Sequence, residues 1–583
     1  MYFLAYFCLI LGMHSDLSLK NIIKGIEVTS VDHLPIISRY CRHLKIADIV
    51  NDQIPCRTDL DPGTIVQAMI IDTLSGRSPL YKLDKFMATQ DVELLFGEDI
   101  PAAAFNDDAV GRTLDRIHTA GSQKILTAIG LEAVDTYQLD TSTAHFDTTS
   151  VPVWGEKYAR NSEAAPEITH GYSKDKRGDL KQFMVSMLCV EGNIPILGQT
   201  EDGNASDVKL NNEELERISK LLATQKSMFD EFLYVADCKL VSRENLEKIG
   251  SSSFVTRLPA TYGEHDRAID EAVALGEWDE LGILAKHKDP KNSKSPFTSY
   301  RAQEVEIELY GEEYRAIVVE TDQLDKRRKK RIERQKESRK KSVEKSKKAM
   351  EKKVFACKSD AQVELDQVTK KKSSDLWWLE GSIEEVEKLA PGRAPKDGKR
   401  KVVSTTYKLT LKIVANEERV AVIERRAGCF VLLTNTEKGA YNASDLLKSY
   451  KEQYGIEQNF SFIKDPLIVN DVFLKKPERI EALGLVLILS LMVWRLIQRT
   501  LRRSDEVKMG KLKDFANRTT YSPTAYLLIE RMSGIQIIKR GNERALPNEM
   551  NEDAKIYLYA LGLNESVFIE PPERCKTMRY SAI

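Results

Sequence analysis

The sequence predicts an α/β chain: a mixed sheet led by a hairpin and flanked by helices, preceded by a helical N-terminal domain. Three observations lead there. Residues 144–258 alternate strand-like and helix-like segments, opening with three strands in a row. Residues 28–135 read as helical and compact. A charged stretch from 265 to 425, itself containing strands, interrupts the α/β pattern before it resumes. With 583 residues and 42 % hydrophobic content, the chain has room for roughly three to four domains with large cores.

The elements follow in order. In the helical domain, GTIVQAMIIDTLSG (63–76) ends on a glycine, and FNDDAVGRTLDRIHTAG (105–121) has an Asn/Asp start and a terminal Gly. This domain fits a DNA-binding module or a purely structural one equally well. AHFDTTSVPVW (144–154) is a Thr/Val-rich strand, and 182–203 reads as two strands around Glu191-Gly192-Asn193. Residues 211–229 form an amphipathic helix, EFLYVADCKL (231–240) a buried strand ending in Asp237, 242–250 a helix and 252–258 a strand. Within 265–425 lie a Lys/Pro/Ser-rich loop (286–297), a basic run (326–353) and an alternating strand (405–416). CFVLLTNT (429–436) is a further buried strand, and ALGLVLILSLMVW (482–494) a buried core helix, too short for a membrane span and bounded by Glu481 and Arg495.

Net charge is −1, yet the basic run alone carries sixteen Lys/Arg against four Glu, so it holds +12 and the remainder −13. Glu337–Lys341 and Glu344–Lys348 are i,i+4 pairs favouring a long exposed helix. Such a run is either a solvated face or a phosphate-attracting one, whose binding would depend steeply on salt. The eight cysteines and eight histidines are scattered, which argues against a zinc site or a disulfide framework and for a reducing cytoplasm. The apolar MYFLAYFCLILGM (1–13) lacks a basic n-region and a small-residue cleavage site, so a mis-assigned start, with Met13 as the true one, is at least as good a reading as a signal.

Acids at strand ends are the candidates for chemistry. Asp147 lies in the first strand and Asp237 ends LYVAD. A carboxylate at the edge of an apolar strand is costly unless it is solvated, paired or bound to metal. Downstream, KSYKEQYGIEQNFSFIKDP (448–466), read as one helix, sets Tyr450, Gln453, Glu457 and Lys464 at about 0°, 300°, 340° and 320°. Glu452 falls near 200°, toward solvent. Glu457 is therefore a third carboxylate candidate beside a phenol, an amide and an ammonium. Oxygen ligands without His or Cys suit Mg²⁺ or Mn²⁺, and a pair of such ions serves phosphoryl transfer.

At this point the chain resembles insertion-sequence transposases of the DDE type, in the IS-four superfamily and most like its IS-sixteen-thirty-four branch. That superfamily carries Y-(2)-R-(3)-E-(6)-K around its last acid, and Tyr450, Gln453, Glu457 and Lys464 stand at those spacings. Gln453 replaces the arginine, which lowers the local positive charge. The resemblance also covers 146–156, 168–207, 234–245 and 429–500. It implies an RNase H-like core in two parts, 136–264 and 426–504, interrupted by a β-containing insertion at 265–425. Residues 1–27 and 505–583 fall outside it, without an assigned role. It further implies that Asp147, Asp237 and Glu457 hold two Mg²⁺ ions for cleavage at transposon ends and 3′-OH strand transfer into target DNA. Tyr450, Gln453 and Lys464 would contact the DNA. The partners implied are double-stranded DNA and a second copy in a synaptic homodimer, with no membrane and a cytoplasmic, nucleoid-associated location. The alternatives are a metal nuclease that cuts without joining and an inactive DNA-binding descendant. His170, Lys174, Arg177 and Lys181 are weaker DNA-facing candidates, and Trp377 and Trp378 are expected to pack in a core.

Overall fold

The computed structural model describes residues 25–573 except 56–59, 77–81, 225–231, 285–296, 323–325, 370–375, 393–399 and 466–473. Segment 1–13 and nearly all of the Lys/Pro/Ser-rich loop lie outside the described residues. The chain divides into two compact units, residues 1–254 with 449–583, and residues 255–448.

The first unit opens on strand β1 (Ile26–Ser30) and a set of helices. Two of the helices that the sequence marks begin where a side chain supplies an acceptor for orphan N–H groups. Asp61 takes the Thr64 N–H at 2.8 Å ahead of Pro62–Leu74, and Asn106 takes the Ala109 N–H at 2.9 Å ahead of Asp107–Ala120. Both helices run as the sequence predicts, to within two residues.

The α/β core follows with β2 (Thr143–Val153), β3 (Lys181–Val190), β4 (Ile194–Glu201), β5 (Leu233–Ala236) and β6 (Phe254–Arg257). Helices Asp207–Thr224 and Arg243–Ile249 connect the later strands. β2, β3 and β4 pair antiparallel, with Gly192 and Asn193 at positive φ in the turn between β3 and β4. β5 pairs with β2 in parallel. Nearly every residue of β3 is buried, because both sheet faces are covered, and the strand accordingly reads as a continuous apolar run.

The second unit adds β7 (Asp279–Ile283), β8 (Ser299–Leu309) and β9 (Glu312–Thr321), then helices Lys326–Glu351 and Lys358–Thr369. Strands β10 (Val354–Phe355), β11 (Trp377–Leu389) and β12 (Val402–Ala415) form a separate three-stranded sheet, order β10-β12-β11. These two helices lie on that sheet over a small core of Ala361, Leu365, Leu379, Leu409 and Leu411. Strand β13 (Cys429–Thr434) pairs antiparallel with β9 and β6. The result is one nine-stranded mixed sheet in the order β4-β3-β2-β5-β6-β13-β9-β8-β7.

The remaining first-unit residues include the helix Pro477–Arg503, the only described one long and apolar enough to cross a membrane. It is instead a core helix, with 89 % of its most apolar window buried between β4 and the N-terminal helices. Being covered on all sides, it has no reason to be amphipathic. Arg479 holds Asp115 through two 2.7 Å bonds, and His118 meets Glu481. Strands β14 (Gln536–Arg540) and β15 (Glu543–Ala545) complete a sheet with β1, pairing Ile26 opposite Arg540. Arg544 closes the join with 2.7–2.8 Å bonds to Asp91 and one of 2.7 Å to Glu93. The C-terminal region thus packs onto the N-terminal domain.

Candidate functional site

The parallel register fixes the first two acids. Phe146 of β2 lies opposite Ala236 of β5, and the next residue on each chain is Asp147 and Asp237. Neighbouring strands are about 4.8 Å apart, so the two acids lie side by side, Asp147 within β2 and Asp237 past the end of β5. Asp237 stands just past the end of β5, where its carboxylate accepts the Lys239 N–H at 3.0 Å.

A third acid joins them. Asp207 begins the helix Asp207–Thr224, and its carboxylate accepts the Thr148 hydroxyl at 2.6 Å. The Lys174 ammonium stands 3.9 Å from Asp147 and 3.8 Å from Asp207 while donating to the Thr148 carbonyl at 2.5 Å. One cation thus faces three carboxyls. Burial pushes the Asp147 carboxyl up to about 7; Lys174 and the Thr148 N–H oppose the rise, and Asp237 and Asp207 add to it. Asp237 is raised as well, first by burial and further by Asp207. In both groups burial is the leading cause, favouring the uncharged carboxyl, and the neighbouring acids add to it.

The stretch 448–466 is two helices rather than one: Ala443–Glu452 and Tyr454–Ile463 meet at Gln453. The second helix seats closely on the first unit's core. A Cβ on Gly455 would lie 2.0 Å from the Asn193 side chain, which would have to move to admit any other residue. Asn459 donates to the Asn193 carbonyl at 2.8 Å and accepts from Arg495 at 2.6 Å. Gln453 is buried and donates to the Phe146 carbonyl at 3.3 Å, beside Asp147. Its amide thereby anchors the helix to β2, one residue from the first acid.

Despite the break, the polar stripe stays together. Tyr450, Gln453, Glu457 and Lys464 line one cavity of about 730 Å³ with Asp147, Asp237, Lys174 and Asp175. Glu457 is exposed, and Glu452 is exposed outside this cavity, as its helical angle predicts. Lys464 donates to Asp175 at 2.7 Å, and burial lowers its pKa. Among the described residues, no three His, Cys, Asp or Glu side chains are gathered as a ready metal-ligand group. The donor chemistry nevertheless fits a hard divalent cation: Asp147, Asp237 and Asp207 are oxygen donors, and the Asp207 charge raises the pKa of both Asp147 and Asp237. Glu457 shares their cavity.

The weaker candidates divide. Lys174 belongs to the acid cluster, whereas Arg177 pairs with Asp179 and lies 5.2 Å over the Trp154 ring. Lys181 donates to the Glu156 carbonyl, and His170 is exposed. Trp377 stacks under Lys340 at 5.2 Å in the second unit. Asp207 is the residue that sequence reasoning missed as a site acid; a helix-starting acid ordinarily serves the helix dipole, and nothing local distinguishes this one.

Residues 26–131 match the family described as "Domain of unknown function (DUF4277)", a domain found in transposase-like proteins. No curated protein matches the chain.

Proposed function

We propose that the chain is a DDE transposase that cuts DNA at the ends of a mobile element and joins the freed 3′-OH to target DNA. The observation that carries this reading is the convergence of Asp147, Asp237 and Glu457, from three distant segments, on one cavity. Asp147, Asp237 and Glu457 would hold two Mg²⁺ or Mn²⁺ ions, which supply activation of the attacking oxygen and stabilisation of the leaving one. Lys174 keeps Asp147 and Asp207 oriented, and Tyr450 and Lys464 offer a phenol and an ammonium to backbone phosphates. In the first step a P–O3′ bond breaks, water adds to phosphorus and the leaving oxygen takes a proton. In the second, the 3′-OH forms a new P–O bond as a target P–O bond breaks, so no energy source is needed.

The order β4-β3-β2-β5-β6, with β2 between an antiparallel and a parallel neighbour, supports an RNase H-like core. Residues 265–425 would then be its insertion, between the second and third acids. Synapsis of two ends calls for a homodimer acting at the nucleoid. The test is incubation of the purified chain with DNA carrying the element's own terminal repeats and a supercoiled target. Magnesium-dependent cutting and joined product, both lost in Glu457→Gln, support the proposal. Cutting without joining would make it a nuclease, and magnesium-independent DNA binding alone would make it a non-catalytic descendant.

A further inference from the structure

The helix Lys326–Glu351 of the second unit sorts its residues by face. At about 100° per residue, and taking Arg334 as zero, Ile332, Val343 and Met350 fall at about 160–180°. Ile332 is buried, and Val343 and Met350 pack against the small core of Leu365, Leu379, Leu409 and their neighbours. The opposite face carries Lys330, Arg334, Lys341, Lys345 and Lys348 within a stripe about 60° wide. All five are exposed.

Lysines nearer the seam are engaged differently: Lys336 pairs with Glu424, and Lys340 covers the Trp377 ring. The glutamates 333, 337, 344 and 351 gather at about 260–300°, along one flank only. One of them, Glu337, reaches Lys341 at 2.8 Å. An exposed pair of this kind contributes little and yields readily to a competing anion. On the other flank Ser338, Ser342 and Ser346 are small and exposed, leaving room for a bulky ligand to approach.

From Lys330 to Lys348 the stripe is about 27 Å long at 1.5 Å per residue, with a cation every ~7 Å on average. Duplex DNA presents a negative charge every ~1.7 Å of axis with both strands counted, so a stripe of this length spans about eight base pairs of dense anionic surface. The stripe holds no apolar side chain, which removes the anchor that an interfacial membrane helix needs. Four of its five cations are lysines, compact point charges suited to phosphates, and phosphate contacts position the duplex without choosing its sequence.

We propose that this face of the helix is a sequence-independent docking surface for duplex DNA, separate from the acid cavity. The inference rests on the proposed function only for the choice of DNA as the polyanion.

The experiment uses the full chain in EDTA, so that no cleavage intervenes, and measures affinity for a 30-base-pair duplex of arbitrary sequence across a salt series. Changing Lys330, Arg334, Lys341, Lys345 and Lys348 to Gln should flatten the slope of log K against log salt by about 4. The corresponding Lys→Arg changes at the four lysines should leave it intact. Neutralising five exposed lysines elsewhere (Lys124, Lys209, Lys438, Lys508 and Lys511) should change it far less. Circular dichroism of the variants checks that the helix persists. An unchanged slope in the stripe variant, or an equal loss in the control, overturns the proposal. So does stripe-dependent binding to phosphatidylserine vesicles with none to DNA. Asp147→Asn, expected to abolish cleavage, should keep the full slope; cleavage surviving in Asp147→Asn would defeat the catalytic reading alone.

Discussion

The acid cavity of the first unit and the basic helix of the second handle charge in opposite ways. The cavity collects carboxyls from segments 90 and 220 residues apart, half-buries two of them and leaves Lys174 to face Asp147 and Asp207. The helix lines up cations within 26 residues of sequence and keeps its outer stripe in water. Burial pushes the Asp147 pKa up to about 7, because desolvation penalises charge, whereas solvation leaves an exposed stripe as a set of weak, salt-screened attractions. The first arrangement suits a site that must change a bond. The second suits a surface that must hold a polymer without choosing its sequence.

Four perturbations sharpen that contrast. The largest effect is expected from the carboxylates: Asp147→Asn or Glu457→Gln should lower magnesium-dependent DNA cleavage on the order of 10³-fold. DNA binding in EDTA should not change, as gel-shift assays would report. Loss of binding along with cleavage would merge the two regions into one function.

Next comes the cost of the buried acid. A folded-state pKa near 7, above the ordinary value near 4, means the folded chain holds its proton more tightly than the unfolded chain. Stability contributed by the protonated group is therefore full below about pH 4 and is lost as pH rises toward 7. In EDTA at pH 8, Asp147→Asn should thus be more stable than the parent by on the order of 2 kcal/mol. The gap should close by pH 4, as thermal melting would follow. A variant less stable than the parent at pH 8 would mean that Asp147 is held by partners other than a cation.

A comparable effect is expected at Gly455. Replacing it with Val drives side-chain atoms into Asn193 and should destabilise the first unit by about 1–3 kcal/mol while lowering cleavage. The salt slope of DNA binding should stay put. The smallest effect belongs to Gln453→Ala, which removes the bond to the Phe146 carbonyl and should cost about 1 kcal/mol. Cleavage unaffected by Gln453→Ala would show that the helix carrying Glu457 does not need this anchor.

Much of this was legible in the sequence. Strand alternation and turn residues placed β2 through β6, with Gly192 and Asn193 forming the turn that their chemistry predicts. Asp237 was legible as a carboxylate at a strand end, whereas Asp147, expected at one too, sits within β2, which runs on to Val153; the stripe from Tyr450 to Lys464 was legible as a helical period. Helical periodicity also extended 448–466 as one helix, because spacing registers a face and not the break at Gln453. Asp207 and the pairing of β1 with β14 were not legible. Both arise where the chain returns across long intervals, Ile26 meeting Arg540 in one sheet, and no local pattern records such a meeting. The basic helix was readable as a charge run, but its sorted faces acquire meaning only once Val343 and Met350 are found against a core.

The most direct test of the cavity as a cation site is Mn²⁺ binding to the purified chain without DNA, followed by electron paramagnetic resonance. Parent protein should bind Mn²⁺ and melt at a higher temperature in its presence. Asp147→Asn and Asp237→Asn should each abolish both effects. Undiminished Mn²⁺ binding in both variants would contradict the account.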